Sequence, residues 1–211
     1  MVAERSDRSF PALASSTETE EAMAVARVLE WIFAFYFLTH IPITLFIDLQ
    51  PLLPGVHPSA LSDVMTWYIA TFKDPLMSSP EPWFLSFLYL EALLQLSFFP
   101  IAAYAFWKGN CKWIRIPVII YTTHVITVVV ACLVHILFTD FSNAKAPTPR
   151  TLQERLTVAA FYAPFLAICL AMLLFVLFSS AYNPGSFHKS KVKRAPDSAG
   201  ILETRWVTST L

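Results

Sequence analysis

The sequence predicts an all-α membrane protein, a four-transmembrane-helix bundle with kinked helices and a short lumenal amphipathic helix. Three observations favour this class. Hydrophobic residues make up 56% of the 211 residues and charged residues only 14%, whereas soluble domains carry about 25% charge. Four apolar stretches reach the roughly 20 helical residues that cross a bilayer. The alternating ten-residue strands typical of a membrane β-barrel are not found in the sequence.

The four apolar stretches are the predicted membrane spans. They are Trp31–Ile47, Trp83–Trp107, Ile116–Thr139 and Leu156–Ser179. Each contains a proline, at positions 42, 100, 117 and 164. Pro117 lies in a first helical turn, where proline is tolerated. The other three lie inside helices and are expected to kink them.

The distribution of basic residues predicts that both termini are cytoplasmic. Eleven of the fifteen Lys and Arg residues lie in the N-terminal segment, the 108–115 loop and the C-terminal tail, which four spans place on one side. Cytoplasmic segments carry the excess of Lys and Arg. We therefore expect a disordered cytoplasmic extension over 1–26, a membrane domain over 27–180 and a disordered cytoplasmic tail over 181–211.

Residues 49–82 form the one sizeable lumenal segment, which six prolines punctuate. Within it, apolar residues recur at helical spacing, at Leu61, Val64, Met65, Tyr68 and Phe72. This periodicity predicts a short amphipathic helix over 60–72 that lies on the bundle.

Composition also excludes several classes of function. The formal net charge is zero, so attraction to nucleic acid is not indicated. The four glycines lack the spacing of a phosphate-binding or dinucleotide-binding loop. Three cysteines give no disulfide framework, and no HxxxH or HExxH pattern occurs. We accordingly predict no cofactor and no metal site.

Ionisable residues inside the spans are candidate functional residues, because they are costly to place in hydrocarbon. His40, Thr44 and Asp48 follow one another at four-residue spacing and share a helix face, with a drift of about 80°. Glu91 and Gln95 share a face of the second span, in which Glu91 is the one charge. For Asp48 an ordinary interfacial charge is an equal alternative, His40 is more often a hydrogen-bonded core residue, and Thr44 is interpreted as a packing residue.

The depth of the two carboxylates limits how they can meet. Glu91 lies about 12 Å along the helix from Trp83, whereas Asp48 is near the membrane boundary. They meet only if the second helix begins above the hydrocarbon or if the lumenal segment caps a pocket that reaches inward. Such a pair would share a proton, and apolar surroundings would suit a hydrophobic amine or a sterol with one polar handle.

Several long blocks resemble a known family. They are LEWIFAFYFLTHIPITLFIDLQ at 29–50, WY…FKDPL at 67–76, WFLSFLYLEALLQLSFFPIAAYAFWKGNCKWIR at 83–115 and TLQERLTVAAFYAP at 151–164. Together they are similar to the EXPERA family, which includes the emopamil-binding sterol isomerase. The resemblance covers about residues 27–180.

The resemblance implies a four-helix protein of the endoplasmic reticulum that binds sterols and cationic amphiphilic drugs and influences cholesterol handling. It implies that Asp48 pairs with the ligand amine and that Glu91 hydrogen-bonds Asp48. Asp74 matches a family aspartate that supports the site by holding the lumenal segment. Leu93 and Gln95 match positions tied to sterol binding. With His40, these residues are the predicted ligand-binding set, and none is assigned a catalytic role.

The resemblance further implies homodimers, association with the lysosomal Niemann–Pick cholesterol exporter, and presence in nuclear-envelope and endolysosomal membranes. Two features depart from the family pattern. Phe165 stands where the family has a tyrosine after Tyr162-Ala-Pro, and the chain continues beyond Lys193 without a terminal dilysine signal.

Two functions of different classes remain open. The first is a binding protein for sterols and amines that regulates cholesterol homeostasis and trafficking. The alternative is a sterol double-bond isomerase, which needs an acid and a base across the sterol ring system. His40, Glu91 and Asp48 offer such groups.

Overall fold

The computed structural model describes residues 10–53, 55–179 and 181–182, with backbone alone for 10–19. Within these residues the chain is helical and no strand occurs, so the all-α prediction is confirmed. The helices are α1 (Phe10–Ile43), α2 (Ser59–Phe72), α3 (Pro75–Ser78), α4 (Pro82–Leu90), α5 (Leu96–Lys108), α6 (Arg115–Phe138) and α7 (Leu152–Phe178). A first π turn (Thr44–Asp48) continues α1, a second π turn (Glu91–Gln95) joins α4 to α5, and a 3₁₀ turn (Lys112–Ile114) precedes α6.

Among the described residues, four helical segments are long and apolar enough to cross a membrane. They are Glu20–Asp48, Pro82–Lys108, Lys112–Phe138 and Leu152–Phe178. Each coincides with a predicted span, to within one residue at its C-terminal end. Pro42, Pro100 and Pro164 lie inside helices as predicted, and both π turns occur in the two helices that carry Pro42 and Pro100.

Helix α1 begins at Phe10, inside residues 1–26, for which the sequence predicts a disordered extension. Residues 12–26 contain five alanines and neither glycine nor proline. Such a composition lets a helix nucleated in the membrane propagate outward at little cost. Residues 1–9 and the tail from residue 183 lie outside the described residues.

Two buried clusters form the core. α1 packs mainly against α5, and α6 packs mainly against α7. The larger cluster is rich in aromatic rings, among them Phe33, Phe37, Phe99, Phe106 and Tyr121. The smaller one lies toward the end predicted to be lumenal and includes Leu76, Phe84, Leu88, Ile136 and Val158. The space between the two clusters holds the cavity described below.

Helix α2 confirms the predicted amphipathic helix. Its apolar residues Leu61, Met65, Tyr68 and Phe72 are half-buried. The ring of Phe72 lies 4.8 Å from that of Phe161 in α7, centroid to centroid. The helix ends at Lys73, whose backbone is left-handed (φ 60°) and whose ammonium pairs with Glu154 at the start of α7. Both contacts attach α2 to α7.

A polar cluster ties the opposite end of the bundle together. Glu30 is 3% exposed and accepts hydrogen bonds from Arg27 (2.8 Å), the Asn110 backbone N–H (3.1 Å) and the Tyr182 hydroxyl (2.7 Å). Arg27 also donates a hydrogen bond to the backbone carbonyl of Phe106, which lies in the last turn of α5. The cluster therefore joins α1, the end of α5 and residues 181–182. Arg27 lies about one helical turn before Glu30, but Asn110 and Tyr182 come from parts of the chain that helical periodicity does not relate to it.

Candidate functional site

A cavity of about 350 Å³ lies between the two core clusters. Ligand sites are concave, mostly apolar and typically about 300–1,000 Å³. Its apolar wall includes Ile43, Ile47, Met65, Trp67, Phe84, Leu88, Val125, Val129, Cys132, Phe161, Tyr162 and Phe165. These residues come from α1, the first π turn, α2, α4, α6 and α7, so all four candidate membrane spans and helix α2 contribute to one site.

The two π turns bring the carboxylates of Asp48 and Glu91 into this cavity. Eight residues separate His40 from Asp48, a spacing that drifts about 80° in a straight α-helix. Because a π turn takes about one residue more than an α turn, the first π turn offsets much of that drift. π turns are frequent at functional sites. Hydrophobic periodicity carried no signal for them.

Thr44 connects the two acids. Its hydroxyl donates to Glu91 Oε1 at 2.7 Å and lies 3.4 Å from Asp48 Oδ2. A hydroxyl carries a single proton, so the shorter contact is the hydrogen bond and the longer one is weak. Thr44 is fully buried. The sequence interpretation of Thr44 as a packing residue is therefore wrong, since its hydroxyl belongs to the site.

His40 completes the polar group. Its ring is 8% exposed and packs edge-on against Phe99 and Phe165, each at 5.3 Å between centroids. One ligand-type atom from each of His40, Asp48 and Glu91 lies within 4.8 Å of the others. His40 has no hydrogen-bond partner among the described residues, which differs from the hydrogen-bonded core histidine expected. The three side chains are of the types that hold a divalent cation.

Asp74 borders the cavity, but its oxygens are already engaged. It is fully buried and caps α3 by accepting the Leu76 N–H at 2.9 Å. The hydroxyls of Tyr68 and Tyr162 each donate to its other oxygen at 2.9 Å. Burial raises the pKa of Asp74, and these hydrogen bonds oppose that rise. Burial first, and then the nearby Asp74 charge, raises the pKa of Tyr68. Asp74 thus links α2, α3 and α7.

The remaining predicted residues divide between the cavity and the surface. Gln95 lines the cavity. Leu93 does not: it is 70% exposed on the outer face of the bundle. The reason is helical geometry, because a residue two positions from Glu91 points to the opposite side. The structure does not bring Leu93 into this cavity.

The position of residues 49–82 answers the question of how the two carboxylates meet. Helix α4 begins at Pro82, and α2 contributes Val64, Met65, Trp67 and Tyr68 to the cavity wall. Helix α2 therefore covers a pocket that reaches inward to Glu91. Tyr162 and Cys132 were not predicted as wall residues. Each lies in a long apolar stretch, in which the sequence does not distinguish a cavity-facing position from a lipid-facing one.

Comparisons with known proteins identify the family. The family model described as EXPERA (EXPanded EBP superfamily) matches residues 60–176. The chain is 54% identical over 171 residues to "Sigma intracellular receptor 2" of Xenopus tropicalis, covering 80% of this chain and 100% of that protein. It is 49% identical over 174 residues to the Homo sapiens protein of the same name, covering 81% of this chain and 99% of that protein.

A more distant similarity extends to yeast. "Efficient mitochondria targeting-associated protein 19" of Schizosaccharomyces pombe is 27% identical over 149 residues, covering 69% of this chain and 73% of that protein. The family match spans α2 to α7 and includes the second π turn. The resemblance inferred from the sequence is confirmed, and this chain belongs to the EXPERA (EXPanded EBP superfamily) family.

Proposed function

We propose that the chain is an intramembrane binding protein for sterols and cationic amphiphilic amines that takes part in cholesterol homeostasis and trafficking. The observation that supports this most directly is the cavity, in which Asp48 and Glu91 meet inside a mostly apolar wall. A pocket with few convergent polar groups fixes the orientation of a largely apolar ligand. Similarity to proteins named as receptors adds support.

The pair of acids suits an amine with an apolar body. Two carboxylates close together do not both ionise readily in apolar surroundings. An ammonium group placed against Asp48 stabilises one negative charge, while Glu91 remains hydrogen-bonded to Thr44. The aromatic rings of the wall then pack against the ligand body. A sterol would use the same wall and place its hydroxyl against the same acids.

Binding of one amine and one sterol to two variants tests the proposal. Asp48→Asn retains shape and removes the charge. Because breaking a buried ion pair costs about 3–5 kcal/mol, affinity for tritiated imipramine should fall by roughly two to three and a half decades. Cholesterol should be less sensitive, since it carries no charge. Glu91→Gln should have a smaller effect on imipramine, because it preserves hydrogen bonding.

The control is Asp63→Asn, an exposed carboxylate on α2 outside the cavity. It should bind both ligands as the unchanged protein does. Normal imipramine binding by a folded Asp48→Asn protein would show that Asp48 is only an interfacial charge and would overturn the amine site.

Asp74 is proposed to support the site rather than contact the ligand. Its oxygens hold α2, α3 and α7 together, so Asp74→Asn should lower the yield of folded protein together with binding. An Asp74→Asn protein of normal yield and thermal stability that still loses binding would instead make Asp74 a ligand contact.

The second candidate is sterol double-bond isomerisation. It is favoured by the position of His40 beside two carboxylates in the cavity, since the reaction needs one group to deliver a proton and another to remove one. Incubation of purified protein with a Δ8-sterol decides between the two functions. Formation of the Δ7 product would replace the binding function with an enzymatic one, and its absence with intact sterol binding supports the first proposal.

We also propose residence in the endoplasmic-reticulum membrane, homodimer formation and association with the Niemann–Pick cholesterol exporter. Family resemblance supports each of these. Two differently tagged copies should co-purify, and the tagged chain should co-precipitate the exporter from solubilised membranes. Recovery of each protein alone would contradict the corresponding association.

A further inference from the structure

Three side chains of mixed chemistry meet at one point of the cavity wall. An imidazole nitrogen of His40 and carboxylate oxygens of Asp48 and Glu91 lie within 4.8 Å of one another. They come from α1, the first π turn and the second π turn. Zinc bound by His nitrogen and carboxylate oxygen, at about 2.0–2.2 Å from each, needs donor atoms about 3.3 Å apart. From their present separation of up to 4.8 Å, the donor atoms would have to approach one another by at most about 1.5 Å.

The imidazole of His40 has no hydrogen-bond partner among the described residues, although only 8% of the residue's surface is exposed. Its nitrogens are not among the enclosed unpartnered polar atoms, which within the described residues are His124 Nε2 and Thr148 Oγ1, so they remain accessible from the cavity that His40 lines. The rings of Tyr36, Phe99 and Phe165 surround the imidazole and fix its orientation toward the acids. A ligand that accepts a nitrogen lone pair would satisfy this group.

The charge balance of the cavity points to the same ligand. Three carboxylates line it, those of Asp48, Asp74 and Glu91, and within the described part of the chain no Lys or Arg does. The oxygens of Asp74 already accept three hydrogen bonds, which leaves Asp48 and Glu91 for a ligand. A single ammonium would neutralise one of the two acids. A divalent cation would neutralise both, which matters where the surrounding wall is apolar.

We propose that His40, Asp48 and Glu91 form a zinc site whose open coordination position faces the cavity. The donor set of one nitrogen and two oxygens suits zinc, whereas magnesium prefers six oxygens and retains water. The Thr44 hydroxyl at 2.7 Å orients Glu91, as an outer hydrogen bond does for a metal ligand. Zinc and a bound amine use the same acids and so exclude each other.

The first test measures zinc binding directly on the full chain, purified without a polyhistidine tag. Competition with a zinc-chelating dye should reveal one zinc ion per chain. His40→Gln, Asp48→Asn and Glu91→Gln should each weaken zinc binding at least tenfold, since even outer-shell changes cost about that much. The matched control is His124→Gln, a half-buried histidine of α6 outside the cavity, which should bind zinc unchanged.

Two measurements on the unchanged protein do not depend on the folding of any variant. Zinc chloride should displace tritiated imipramine competitively, while magnesium chloride should not. Zinc-edge X-ray absorption should show one imidazole and oxygen neighbours. Sulfur neighbours would place zinc at a cysteine, such as Cys132 in the cavity wall, and would overturn the site.

The outcomes separate this inference from the proposed function. Imipramine or sterol binding without any zinc binding overturns the zinc site and leaves the proposed function standing. Zinc binding that survives His40→Gln also overturns it. Zinc binding that needs all three residues, in a protein that binds neither imipramine nor sterol, supports the zinc site and contradicts the proposed function.

Discussion

A single buried hydroxyl connects the two acids of the cavity. Thr44 is fully buried, donates to Glu91 and lies near Asp48. Without that donor, Glu91 would lose the hydrogen bond that orients it beside Asp48 in a mostly apolar wall.

Thr44→Val tests this role, because it removes the hydroxyl and preserves the shape of the side chain. The hydrogen bond orients Glu91 beside Asp48, and an ordinary intramolecular hydrogen bond contributes about 0.5–1.5 kcal/mol, so imipramine affinity should fall by up to about one decade. The control is Thr127→Val on α6, whose hydroxyl donates only to its own helix and whose loss should leave binding unchanged. Equal affinity in both variants would contradict a role for Thr44 in the site.

At the scale of elements, helix ends and helix irregularities differ in how far a sequence predicts them. Length and hydropathy located four spans to within one residue at their C-terminal ends, and periodicity located α2. Hydropathy and periodicity do not distinguish a π turn from an α turn. Thr44–Asp48 and Glu91–Gln95 each hold three apolar residues between two polar ones, a pattern that regular helix can also carry. The position of Asp48 beside Glu91 depends on those turns and on α2. The residue types therefore predicted which side chains were candidates, but their contacts could be known only from the path of the backbone.

Gly109 ends α5 in a conformation that essentially only glycine adopts, with φ 76° and ψ 162°. A Cβ at this position would lie 2.1 Å from Arg27 Nη1 and 2.6 Å from Glu30 Oε2. Gly109→Ala should therefore lower the free energy of unfolding by more than the roughly 1–3 kcal/mol of backbone strain alone.

The matched control is Gly55→Ala, which has a similar φ of 79° and open space around it. Thermal unfolding in detergent should show a larger loss for Gly109→Ala than for Gly55→Ala. Equal losses of thermal stability would mean that the side chains around Glu30 move to accommodate the extra methyl group.

On the scale of the whole molecule, the bundle is different at its two ends. The end predicted to be lumenal carries the cavity and its covering helix, while the other end is closed by the Arg27–Glu30–Tyr182 cluster. The overall bundle was predictable because bilayer thickness fixes helix length. The closure of the other end by Glu30 was not predictable, because Asn110 and Tyr182, which donate to it, lie about 80 and 150 residues away along the chain.

The asymmetry of basic residues predicts which end faces the cytoplasm. An epitope added after residue 211 should be digested by protease in sealed microsomes, and an epitope inserted within the 140–150 loop should be digested only after detergent is added. Protection of the C-terminal epitope in sealed vesicles would reverse the orientation.

The π turns also determine where the chain can lose a residue. Each holds about one residue more than an α turn, so deleting Leu45 should convert the first π turn to regular helix and leave Asp48 on the cavity side. Deleting Leu38, which is exposed like Leu45 but lies within regular α-helix, rotates the two parts of the helix by about 100° relative to each other. Imipramine binding should survive the first deletion and be lost in the second. Each π turn can thus lose one residue without changing which side of the helix faces the cavity. Related proteins should differ in length at these turns and still keep their polar side chains in the pocket.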